Sequence, residues 1–412
     1  MIQTHVLSNG MPLMMERLPY LRSASIGVFV KAGSIMETDE ESGLSHFIEH
    51  MAFKGTANRS ARQIAEEIDL IGGNVNAATS KLNTSYYARI TDKDLQKALN
   101  LLADMMINPR YEDSDFQKEQ EVILEEIAME ADTPEDLVFN LLHEGIYQGQ
   151  TLSKTILGTG KSILSQTPDA LNTFRQRYYQ PHNAVLSVVG RFDPQQLITW
   201  AEEAFGAWQG KGRIEYPRNQ FKADTPLLTF NKDVEQVQLC LSFPGLESMH
   251  DDRFAMAAFS TMFAGGVSSR LFQKIREEEG LVYHIYSAAV AHPHCGEFTV
   301  YAACTPQKLK RVMELIKQEA ALVIKDGISK AEFAQTMAQM KTSFVLSMES
   351  AYQRMAGMGI VKLTHDKTID PKETLAKLRK VSLRDVNRVA RQVLSPEPVI
   401  AAVGKQITKH FK

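Results

Sequence analysis

The heptapeptide Ser45-His46-Phe47-Ile48-Glu49-His50-Met51 decides how the rest of the chain is read. On a helix, two histidines four residues apart point about 40° apart on one face, so both imidazoles can reach one metal ion. Glu49 falls on the adjacent flank. A carboxylate there, beside a water made acidic by zinc, stands where a general base is needed. This is the chemistry of peptide hydrolysis. In a chain of this composition the pattern is expected by chance only about 0.03 times. That weighs against two helix-face histidines held by ordinary hydrogen bonds.

Two histidines leave a catalytic zinc one protein ligand short. Downstream, residues 113–129 read as a long helix, and the run over this stretch carries Glu119, Glu121, Glu125, Glu126 and Glu130. Glu119 and Glu126 are two turns apart and share a face with Ile123; a carboxylate rising from a partly apolar face needs a partner. The helix holding Glu126 is therefore the best acidic source of the missing ligand. Spacing alone does not choose among its glutamates.

Around the heptapeptide the chain alternates strands and helices. Asn9-Gly10 is a hairpin signal within Gln3 to Glu16, Ala24 to Lys31 reads as a buried strand, and Gly33 with the acidic loop Glu37 to Glu41 breaks it before the histidine helix. Ser60 with Gln63 has the form of a capping box for a helix that stops at Gly72-Gly73. Asn74 to Ser80 and Thr84 to Ile90 are β-leaning runs joined by a turn. One of them is a candidate sheet edge, to which an extended peptide can add as a further strand; an ordinary hairpin is an equally good reading of the same residues. Leu157-Gly158-Thr159-Gly160-Lys161 lacks the spacing of a phosphate loop and does not follow a clear strand.

With 412 residues the chain is too long for one core. Its hydrophobic share of 44% and charged share of 23% are ordinary for a globular protein. A formal charge of −3, with no basic stripe, gives no reason to expect nucleic acid or an anionic membrane as partner. Neither a targeting segment nor a membrane-spanning apolar run is visible, so a cytoplasmic location is expected. Cys240, Cys295 and Cys304 are odd in number and far from the histidines, which suits small buried hydrophobes better than disulfides or a thiolate metal site.

The order of elements starts again after a segment, 211–226, that reads as a linker. Gln236 to Phe243 corresponds to Ala24 to Lys31, Asp252 to Phe263 to the histidine helix, and 309–325 with 330–348 to the helices 92–107 and 113–129. The expected architecture is α+β: two similar domains, 1–210 and 227–412, each a mostly antiparallel sheet covered by helices. The repeat is asymmetric. In place of His46, Glu49 and His50 the second half has Met256, Phe259 and Met262, so only the first half is expected to hold metal. The second half has its own feature, a helix after Gly265-Gly266 that carries Arg276 and ends at Gly280, shortly before Tyr283.

His46-Phe-Ile-Glu-His-Met-Ala-Phe-Lys-Gly-Thr56, Gly73-Asn-Val-Asn-Ala77 and Glu119-Gln-Glu-Val-Ile-Leu-Glu-Glu126 together resemble the pitrilysin and mitochondrial processing peptidase family of zinc metalloendopeptidases, whose zinc motif is inverted, and in particular its shorter bacterial members. The resemblance implies one Zn2+ per chain held by His46, His50 and Glu126, with Glu49 as the base and Glu119 as the acid that orients a ligand from behind. It implies that Arg276, seven residues before Tyr283, holds substrate backbone and that Tyr283 donates to the developing oxyanion. It further implies a homodimer enclosing a chamber, in which these two residues act on the partner's metal centre. The substrate is then an unfolded peptide added as a strand along Asn76, Ala77, Ala78 and Thr79. Two other readings compete: a catalytically silent structural or assembly subunit of the same fold, and a small-molecule lyase sharing the inverted motif. All the metal-site residues are present, which argues against the first. No cysteine lies near His46, which argues against the second.

Overall fold

The computed structural model describes residues 2–210 and 212–411; the expected boundaries at 1, 211 and 412 fall outside them. Six strands, β1 (Ile2–Val6), β2 (Pro12–Arg17), β3 (Ser23–Val30), β4 (Asn74–Thr79), β5 (Thr84–Thr91) and β6 (Ala184–Gly190), form a sheet in the order β1-β2-β6-β3-β5-β4. Five more, β7 (Leu227–Asn231), β8 (Val237–Pro244), β9 (Val282–Ala291), β10 (Gly296–Cys304) and β11 (Val399–Gly404), form a second in the order β7-β11-β8-β10-β9. Apart from the extra β1 the two orders are the same. Only β2 with β6 and β7 with β11 run parallel; every other neighbouring pair is antiparallel. The repeat and the mostly antiparallel α+β architecture are thus those expected.

The chain divides into two compact units, and neither is continuous in sequence. The first gathers residues up to Ile127, Thr155–Pro217 and Val345–Pro371; the second gathers Ala128–Lys154, Arg218–Phe344 and the residues from Lys372 on. Each half of the chain therefore lends a helix to the other half's sheet, a crossing of the 211–226 boundary that no local pattern announces.

In the first unit the lent helix is Ala351–His365, which lies on β3 and β6. Met355 and Leu363 fill a cluster with Met14, Phe29, Val185 and Val189, and Ser187 Oγ donates to the Met355 carbonyl at 2.8 Å. The approach is close: a Cβ on Gly359 would stand 2.3 Å from the Phe29 ring. Arg354 on this helix forms a two-pronged pair with the buried Glu16 of β2. Because successive strand residues face opposite sides, Phe29 meets this helix while Ile26 and Val28 are buried on the sheet's other face. A strand covered on both sides has an almost uninterrupted apolar sequence, as β3 and β6 do.

In the second unit the lent helix is Pro134–Ile146, packed on β8 and β11. The helix Arg253–Ala264, which stands where the histidine helix stands in the first repeat, buries Met256, Phe259 and Met262 in a core with Phe298 and Val300. The linker is extended and hydrogen-bonded. Ile214 and Tyr216 bond to Lys31 and Leu82 of the first unit, and Asn219 bonds to the Leu152 amide of the second. Cys240 and Cys304 are buried as expected; Cys295 is only half-buried, because it sits in the turn between β9 and β10. Among the described residues no helix is long and apolar enough to cross a membrane.

Candidate metal centre

The histidine helix is Leu44–Met51, shorter than its sequence suggests. Its apolar positions Leu44, Phe47, Ile48 and Met51 are buried, and this fixes the direction in which His46 and His50 point. The residue before it, Gly43, has φ of 93° and no side chain with which to cap the free amides. The buried Glu37 does so from the preceding loop, accepting from the Gly43 and Ser45 N–H groups at 2.8 Å each. A carboxylate at a helix N-terminus is favourable by charge as well as by hydrogen bonding. The helix is therefore held at its start by a residue that sequence periodicity does not mark.

The acidic helix, Asp113–Asp132, brings Glu119 and Glu126 to the same site. Glu126 Oε2 stands 3.6 Å from His46 Nε2 and 3.6 Å from His50 Nε2. Among the described residues these three form the one group whose ligand atoms lie within 4.8 Å of one another. The separations are too long for hydrogen bonds. They suit a shared ion, since two ligands at about 2.0–2.1 Å from zinc in tetrahedral array are about 3.4 Å apart.

His46 provides an independent sign of fit. Its buried Nδ1 has no hydrogen-bond partner, and its Nε2 meets only Glu126 beyond bonding distance. Leaving the buried Nδ1 unpaired is costly, and Nε2, on a ring only partly buried, is turned to Glu126 and open to an ion. Burial, with His50 adding to it, pushes the His46 imidazole down to about 4. The ring is thus neutral at ordinary pH, the form that binds metal. The donor set of two imidazoles and one carboxylate, all in the first unit, fits one Zn2+.

Behind His50 lies Glu119, which is buried. Its Oε2 is 3.0 Å from His50 Nδ1 and its Oε1 is 2.5 Å from Lys54 Nζ. This leaves His50 Nε2 as the nitrogen turned to Glu126. Glu49 does not enter the ligand group. Its Oε2 accepts from the Thr79 hydroxyl at 2.6 Å, and burial holds its carboxyl above the ordinary value in spite of that hydrogen bond.

Asn76, Ala77, Ala78 and Thr79 all lie on β4, the edge strand, which pairs only with β5. Of these, Thr79 is brought to Glu49, while the Ala77 N–H donates to Asn76 Oδ1 at 2.9 Å. Arg276 and Tyr283 belong to the second unit and meet each other. The guanidinium lies 5.4 Å from the centre of the Tyr283 ring and 4.7 Å from that of Phe272. The segment Phe272–Glu278 that carries Arg276 is a π-helical turn, not the regular helix expected; Tyr283 follows Val282, the first residue of β9, and is 66% exposed.

Sequence reasoning missed Glu37, Lys54 and the bond from Thr79 to Glu49. Lys54 carried a signal, since it continues the four-residue spacing of His46 and His50. The other two are contacts across loops and carried none.

Comparison with known proteins agrees with this geometry. Residues 13–160 match the family described as Insulinase (Peptidase family M16), and residues 165–340 match the Peptidase M16 inactive domain. An uncharacterized zinc protease of Bacillus subtilis (strain 168), YmxG, is 38% identical over 98% of this chain and 98% of its own length. An uncharacterized zinc protease of Rickettsia felis is 33% identical over 98% of each. In fold, the chain is similar to a crystal structure of a protease from Helicobacter pylori, with a TM-score of 0.91 and 23% identity over 98% of this chain and 99% of that one. The match of both domain types in order, with relatives aligned from end to end, shows that this chain belongs to peptidase family M16.

Proposed function

We propose that the protein is a zinc-dependent endopeptidase acting on unfolded peptides. The observation that carries this reading is the Glu49 carboxylate, held by an edge-strand hydroxyl beside the two metal-facing histidines, His46 and His50. His46, His50 and Glu126 would hold the zinc, which would supply Lewis acidity at the site. Thr79 occupies Oε2 of Glu49, so Oε1 is the oxygen that takes the proton from the attacking water and passes it to the departing amine. The edge strand supports a peptide substrate. The Ser80 N–H bonds to the Asn83 carbonyl, and ladder bonds alternate along an antiparallel pair. The backbone groups of Thr79 and Ala77 therefore face the free edge, where an extended peptide adds as a strand.

We assign Arg276 to the substrate backbone and Tyr283 to the developing oxyanion, supplied by the second copy of a homodimer that encloses the chamber. The exposure of Tyr283 and the cation beside it support this assignment. Three cysteines without a disulfide suit a cytoplasmic setting.

The reading is tested by incubating the protein with a peptide library and reading the products by mass spectrometry. Cleavage within chains is expected, lost on chelation and restored by zinc; cleavage indifferent to chelator overturns it. For the homodimer, mixing Glu49→Gln with Tyr283→Phe protein is expected to restore up to about a quarter of the parent activity through hybrid dimers with one intact site. No recovery after subunit exchange, followed by labelled chains, refutes action between copies.

A further inference from the structure

We propose that Lys54 is a positioning residue of the metal centre: by holding Glu119 it fixes His50 with Nδ1 as donor and Nε2 free for zinc. The proposal rests on the zinc-site reading above and concerns a residue outside the ligand set and the base.

The geometry is a relay of three side chains. Lys54 Nζ is 2.5 Å from Glu119 Oε1, and Glu119 Oε2 is 3.0 Å from His50 Nδ1. The backbone builds the relay locally. After Met51 the helix tightens, with the Phe53 and Lys54 amides bonded three residues back to the His50 and Met51 carbonyls at 3.3 and 3.1 Å. Lys54 thereby remains on the side of the helix that carries His46 and His50. Glu119 comes from the acidic helix, so the relay also joins the two elements that supply the ligands.

The chemistry requires the cation. A zinc-ligating imidazole is neutral and gives Glu119 one hydrogen bond but no charge. Glu119 is nevertheless 6% exposed, and a buried carboxylate needs a charged or well-bonded partner. Lys54 supplies it. With both oxygens anchored, the carboxylate plane cannot pivot, and the His50 ring is held in one orientation.

Two effects of Lys54 on zinc oppose each other, and the sign of the result separates them. As a bystander, a cation near the site repels Zn2+, and its removal tightens binding. As a positioning residue it preorganises His50, and its removal loosens binding. The test is a competitive titration of Zn2+ against a chromophoric chelator, using the full chain. Lys54→Met is expected to bind zinc about 10–100-fold more weakly, and Lys54→Arg to restore most of the affinity. In a Glu119→Gln background, Lys54→Met is expected to add nothing further, because the effect passes through Glu119. Lys54→Met leaves the buried Glu119 without its cation, so its metal-free melting point is expected to fall. The titration is made on protein shown to be folded by circular dichroism, and the Glu119→Gln background, which removes the unpaired charge, separates this role from a loss of fold. Unchanged or tighter zinc in Lys54→Met, or failure of Lys54→Arg to restore it, overturns the proposal. A parent chain that binds no zinc overturns the zinc-site reading as well.

Discussion

Glu49→Gln protein is expected to keep its zinc while losing peptide cleavage by about 10²–10⁴-fold. The substitution is isosteric, and the amide oxygen still accepts the Thr79 hydroxyl. The ligand group His46, His50 and Glu126 does not include the changed atom. What disappears is the ability to take a proton from water. Stability is not expected to fall, because burial already disfavours the charged carboxylate and the neutral amide removes that cost. The measurements are cleavage of a quenched fluorogenic peptide, elemental analysis and a thermal melt on the same preparation. Full activity in the variant sinks the assignment of Glu49 as base. Loss of zinc together with activity would instead make Glu49 part of the metal centre.

The second large effect is on stability. Arg354→Met is expected to destabilise the first unit by about 3–5 kcal/mol. Glu16 is 4% exposed. It accepts from Arg354 Nε at 2.8 Å and from a second guanidinium nitrogen, while Nη1 reaches the Met348 carbonyl at 3.0 Å. Removing the arginine leaves a buried carboxylate without its counter-charge. The double variant Glu16→Leu with Arg354→Met is expected to regain most of the loss, since a well-packed apolar pair often matches a buried ion pair. Trp200 and Trp208 both belong to the first unit, so their fluorescence during urea unfolding reports that unit. A single variant unfolding at the parent's midpoint would show that the pair contributes nothing.

What was legible in the sequence was what short-range pattern encodes. The helix with His46 and His50 is a local periodicity, the central strands of both repeats are apolar runs, and the capping box at Ser60 and Gln63 forms as spaced. The repeat is legible because the order of elements, β2 through β6, recurs in β7 through β11. What was not legible depends on distance in sequence. The helix Ala351–His365 carries Met355, Gly359 and Leu363 on its buried side, and nothing in that stripe says which sheet it covers. Thr79 is thirty residues from Glu49, and an edge strand rich in small polar residues reads as a place for substrate, not as a support for the base. Glu37 sits in a loop whose acids look solvated, although it is buried under the helix it caps.

The lending of helices between halves also has a consequence for synthesis. On a ribosome the first sheet is complete in sequence once Gly190 has emerged, yet the helix that covers Phe29, Val185 and Val189 lies at Ala351–His365. Over the intervening length of translation that apolar face has no cover of its own, and exposed faces of this kind recruit chaperones or aggregate. Until the second half is nearly finished, the nascent first unit is expected to need protection of that face. A gene cut between the two repeats would yield a fragment that carries every zinc ligand and lacks the helix that closes its sheet.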